Sequence, residues 1–141
     1  MRQTIQTAYL TLTGLLLLAI GGAILIAPRA FYASNDIALG HDPTLLSEIR
    51  APGGLLWATA ILALNSVARQ HMRSFTTPLL VLVYGSFGLA RLVSITQDGI
   101  PAQPIISAMI LELSVAVIGV AILRQQQIEA DSKIVSRAVS G

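Results

Sequence analysis

A chain of 141 residues that is 54% hydrophobic and only 11% charged has too few polar groups to cover a soluble domain, for which about 25% charged residues is usual. The net charge of +2 comes from scattered basic residues with no aromatic–basic interleaving, so nucleic acid is not an expected partner. With no cysteine, the chain can form no disulfide, thiolate nucleophile or thiolate metal site.

The first predicted helix spans 7–27, and its apolar run from Ala8 to Ala27 is about 20 residues, enough for one membrane crossing. A cleaved signal has an apolar core of roughly 7–15 residues; here apolar residues continue past Gly21-Gly22-Ala23, so the helix is expected to be retained. Pro28 ends it. The connection Arg29–His41 carries Phe31 and Tyr32, which suit a membrane interface.

Asp42-Pro43 reads as an N-cap followed by proline at the first helical position. A second helix then runs to about Arg69, with its apolar span at 51–69. Proline at position 52 has no N–H for the carbonyl of Glu48, and Gly53 and Gly54 loosen the backbone after it. The triplet Pro52, Gly53 and Gly54 is therefore either a helix break or the true start of the span. Asn65 and Ser66 are expected to form hydrogen bonds between helices.

After the polar turn Arg69–Arg73, the third predicted span is 77–97. Asp98-Gly99-Ile100-Pro101 reverses the chain. The fourth span is 103–125, and residues 127–141 form a polar tail expected to be helical only at its start.

Short connections on either side of the third helix make neighbours antiparallel. The expected fold class is all-α, an integral membrane antiparallel four-helix bundle occupying residues 1–126. Arg2, Arg69, Arg73, Arg124, Lys133 and Arg137 fall on one side of that bundle, against Arg29 and Arg50 on the other. Basic residues favour the cytoplasmic side, so both termini and the tail are expected to be cytoplasmic.

The charged residues of the outer half make the candidate site. Glu48 and Arg50 precede Pro52; Arg91, Ser94 and Asp98 share one face of the third helix, which Tyr84 and Gly88 continue inward. Glu112 lies in the fourth helix, about 10–15 Å below the surface at ~1.5 Å per residue. It sits on a stripe with Ala108, Ala116 and Gly119, small residues that let a neighbouring helix approach. A lone charge at that depth costs about 2.5–3.5 kcal/mol, so Arg91 and Glu112 are expected to pair. The pair has two readings: a structural clamp between helices, or a ligand, proton or catalytic site. His41-Asp42 is an isolated pair and His71 lies on the other side, so neither a metal site nor Ser–His–Asp catalysis is expected.

The order Glu48-Ile-Arg50-Ala-Pro52-Gly53-Gly54, Gly88-Leu-Ala-Arg91-Leu-Val-Ser94, Asp98-Gly99-Ile-Pro101 and Glu112 resembles the bacterial membrane family known as domain of unknown function 4345, over about residues 8–125. That resemblance implies a four-span protein of the bacterial inner membrane and supplies no reaction. The layout is also similar to the small four-span DoxX-like and EXPERA families, as architecture alone.

The first expectation for function is a non-enzymatic accessory or interaction subunit whose Glu/Arg network fixes the bundle and binds a polar head group. The second is a membrane enzyme performing isomerase-type acid–base chemistry on a lipophilic substrate through Glu112, and the third a small-molecule or proton carrier. No cofactor is expected. Expected partners are the lipid bilayer, a lipid or small lipophilic ligand, and further copies or a larger membrane complex.

Overall fold

The computed structural model describes residues 2–139, without the side chains of 2, 131, 133, 134 and 137–139. The side chains of Arg2, Lys133 and Arg137, which entered the charge count, and residues 140–141 of the tail lie outside the described residues.

Among the described residues five α-helices follow one another: α1 (Arg2–Ile26), α2 (Pro28–Ala33), α3 (Pro43–Ala68), α4 (Arg73–Asp98) and α5 (Gln103–Val139), with a 3₁₀ turn at Gln70–Met72 before α4. Four of them, all but the short α2, are long and apolar enough to cross a membrane.

Local chemistry sets the boundaries. Ala27 leaves helical geometry at φ −133° and ψ 58°, and Pro28 takes the first position of α2. The Asp42 carboxylate accepts from the N–H of Thr44 at 3.0 Å and of Leu45 at 3.4 Å, capping α3 as the sequence predicts. Gly99 ends α4 with a positive φ of 98°, a conformation that costs other L-residues energy.

Two predicted features differ. The chain does not break at Pro52, Gly53 and Gly54: α3 runs through all three. Proline at 52 removes one hydrogen bond, and helical packing of the residues on both sides holds the line. Nor does helix stop near Gln126: α5 continues for 37 residues to Val139. The tail from Gln127 to Val139 contains no proline or glycine to stop the helix.

The helices pack chiefly as two pairs, α1 with α3 and α4 with α5, while α1 meets α5 only sparsely. Along α1, Leu10, Leu17 and Ile24 are buried and alternate with Gly14 and Gly21 at three- and four-residue steps. Along α3 the matching series is Gly53, Leu56, Ala60 and Ala63. Such a repeat is the seam of a shallow helix crossing. The contacts run in opposite directions: Gly14 lies against Leu64, Gly21 against Trp57, and Ile24 against Gly53. A β-carbon on Gly21 would stand 2.7 Å from the Trp57 nitrogen and 2.8 Å from the Gly53 oxygen, so the two backbones nearly touch. In the other pair, Gly88 receives Leu113 and Gly85 lies near Ala116.

Candidate functional site

The first turns of α4 and the end of α3 form a polar junction that the sequence reading did not single out. Arg73, 8% exposed, donates from Nε to the Ser66 carbonyl at 3.0 Å and from Nη2 to the Val67 carbonyl at 2.7 Å. These carbonyls belong to the last turn of α3, where the helix has no donors of its own to offer. Ser66 and Thr76 share a hydroxyl–hydroxyl bond of 2.7 Å, and the Gln6 amide donates to the Thr77 hydroxyl at 3.1 Å. Ser66 thus bridges α3 and α4 as expected. Asn65 does not: its amide donates to the Ile61 carbonyl of its own helix and is exposed. This junction ties α1, α3 and α4 together at the start of α4.

Toward the far end of α4 lies a different arrangement. Arg91 meets Glu112 side-on, Nε to Oε2 at 2.9 Å and Nη2 to Oε1 at 3.2 Å. The paired side chains are 29% and 13% exposed. α4 and α5 are brought together just inside this point by Gly88, where a β-carbon would fall 2.6 Å from Leu113 Cδ2. The small-residue stripe on α5 does what its composition suggests, with Ala116 and Gly119 buried one and two turns further along.

The other sequence-predicted residues do not join this pair. Arg50 donates from Nε to the Leu25 carbonyl at 3.0 Å, satisfying an acceptor in the last turn of α1. Glu48 is exposed. Asp98 accepts from the Ser94 hydroxyl at 3.0 Å on the exposed surface of α4. The five charges therefore do not form one network: Arg50 is taken by the end of α1, and of the five only Arg91 and Glu112 pair with each other. Pro52 contributes to the wall described next; Gly53 serves the α1–α3 contact, and a β-carbon on Gly54 would meet nothing closer than 4.0 Å.

Beside the ion pair is a cavity of about 300 Å³. Leu17, Ile20 and Ile24 of α1 form one wall; Val83 and Phe87 of α4 and Ala108 of α5 face them. Tyr84 also lines the cavity, held by its hydroxyl donating to the Thr13 carbonyl at 3.0 Å. Phe31 and Tyr32 of α2, packed edge to face with ring centres 5.5 Å apart, line it together with Asn35. Arg91 and Glu112 also line it, and they are the only charged residues among the described lining residues. Guanidinium and carboxylate thus form part of the wall of a mostly apolar chamber. No local pattern marks the chamber, because its walls come from five helices brought together by tertiary packing.

The arrangement can accept an apolar body of small-ligand size, for which cavities of roughly 300–1,000 Å³ are usual. It can also offer hydrogen bonds. In the side-on pairing both Nη1 hydrogens of Arg91 have no acceptor among the described residues, and each Glu112 oxygen keeps a spare lone pair.

A family model described as Domain of unknown function (DUF4345) matches residues 5–123. No curated protein and no solved structure matches the chain.

Proposed function

The chain belongs to the DUF4345 family, and from that premise we propose that it is a four-span integral membrane protein that holds a small lipophilic molecule in the chamber beside Arg91 and Glu112, without doing chemistry on it. In this reading the four long helices form an antiparallel bundle in the bacterial inner membrane, with both termini in the cytoplasm. The lysine and arginine distribution supports that orientation, and it puts the chamber in the outer half of the bilayer. The observation that carries the proposal is an apolar cavity of about 300 Å³ with one ion pair in its wall. A purely structural clamp needs no chamber beside it.

An acid–base enzyme is the second reading, favoured by the presence of the Glu112 carboxylate in the wall of a mostly apolar cavity. Against it, both carboxylate oxygens already accept from Arg91, so a proton taken up by Glu112 would leave the guanidinium without its counter-charge. Binding a molecule keeps that charge balance.

The test is native mass spectrometry of the full chain purified in a mild detergent. The wild-type protein is expected to carry a lipophilic adduct, and Ala108→Trp, which fills the chamber from α5, is expected to lose it while keeping its helical circular dichroism. A wild-type protein without adduct, or an adduct equally present in a folded Ala108→Trp variant, overturns the proposal.

A further inference from the structure

We infer that the ligand of this chamber is electroneutral, a single apolar chain or ring system ending in a hydroxyl or carbonyl, and that Glu112 is the residue that excludes anions. The inference rests on the reading of the chamber as a ligand site.

The chamber wall holds one cation and one anion, Arg91 and Glu112, and they neutralise each other at hydrogen-bond distance. Its remaining polar groups, among them Tyr32, Asn35 and Tyr84, are neutral. Without Glu112, Arg91 would make this a receptor for a carboxylate, sulfonate or phosphate. With Glu112 in place, an anionic head has two options, and both are unfavourable. It can displace the carboxylate from Arg91 and leave two anions side by side, or it can stand beside an already neutral pair as an uncompensated charge. A cationic head meets the mirror problem at Arg91. A neutral head meets neither. A carbonyl can accept from the unused Nη1 hydrogens of Arg91, and a hydroxyl can in addition donate to a spare lone pair of Glu112, with the ion pair intact. The carboxylate therefore orients the guanidinium and cancels its charge, leaving a neutral donor–acceptor edge on an apolar chamber.

The uncompensated charge of the wrong ligand should weaken binding on the order of 100-fold, the penalty expected for one ion at depth in a membrane. The experiment uses the full chain in phosphatidylcholine nanodiscs and tritium-labelled 1-dodecanol. Specific binding is the signal of the wild type above that of Ala108→Trp, whose filled chamber controls for partition into lipid. Unlabelled 1-dodecanol, dodecanesulfonate and dodecyltrimethylammonium then compete, the last two bearing permanent charges. Unlabelled dodecanol is expected to displace the label, and both ionic probes to be about 100-fold weaker. In Glu112→Gln, which leaves Arg91 unneutralised, dodecanesulfonate is expected to become the best competitor of the three. Should that variant fail to fold, the wild-type ranking decides alone. Dodecanesulfonate matching dodecanol on the wild type overturns the inference and leaves the chamber as a ligand site. Absence of any specific dodecanol binding overturns both.

Discussion

Arg91 spends two of its N–H groups on Glu112 and reaches it from the next helix, so each charge is the other's main compensation. At 29% and 13% exposure the pair is neither solvated nor sealed. Removing one partner leaves the other charged in poor surroundings, which costs more than the pair's net contribution. Glu112→Gln is therefore expected to lower stability in detergent by about 3 kcal/mol. Replacing both, Arg91→Met with Glu112→Leu, is expected to return stability to within about 1 kcal/mol of wild type, because apolar groups need no partner there. Thermal unfolding of the three proteins checks this, and a double variant as unstable as the single one would show that the ions do more than compensate each other. That these two residues meet was legible in the sequence, since each lay alone in an apolar stretch. The placement of Arg50 was not. Sequence gives depth along a helix but not which neighbour a side chain turns toward, and Arg50 turns to the bare carbonyl of Leu25. Arg73 likewise turns to Ser66 and Val67. Both arginines donate to last-turn carbonyls, and which helix end lies within reach is set by tertiary packing.

At the scale of helices, glycine does different work in adjacent positions. Gly21 stands with Trp57 and Gly53 backbone atoms where its side chain would be, whereas Gly22 has nothing nearer than Trp57 Cδ1 at 3.9 Å. Backbone cannot yield as a side chain can. Gly21→Ala is expected to force α1 and α3 apart and cost about 1–3 kcal/mol, as overpacking of a tight core does. Gly22→Ala is expected to change stability by less than about 0.5 kcal/mol. Parallel melting curves of the two variants test the seam, and equal effects would remove Gly21 from it. This seam explains why the expected break at Pro52 does not occur. Gly53 is held against Ile24 of α1, so the residue after the proline has a fixed helical position. A local propensity argument sees the missing hydrogen bond and misses the packing that offsets it. The four long helices were legible because their apolar lengths are strong signals; α2 was not, because six residues beginning with a proline carry too little pattern to distinguish a turn of helix from a loop.

At the scale of the whole molecule, two helix pairs meet with a chamber between them, and the chamber's meaning depends on which way the molecule sits in a bilayer. The basic residues near the α3–α4 turn, Arg69 and Arg73, favour a cytoplasmic turn, and the proposed orientation then exposes the α4–α5 turn outside. Arg73 is consumed by helix capping, but its charge still resists transfer across the membrane, so capping does not weaken the orientation argument. The natural absence of cysteine makes the orientation directly testable. Ile100 is 83% exposed in the α4–α5 turn, and His71 is exposed in the α3–α4 turn. In intact spheroplasts a membrane-impermeant maleimide is expected to label Ile100→Cys and to spare His71→Cys until the membrane is permeabilised. The reverse pattern would turn the Arg91–Glu112 chamber toward the cytoplasm. Any molecule it holds would then be drawn from the inner leaflet, and the positive-inside argument on which the outer placement rests would fail for this chain.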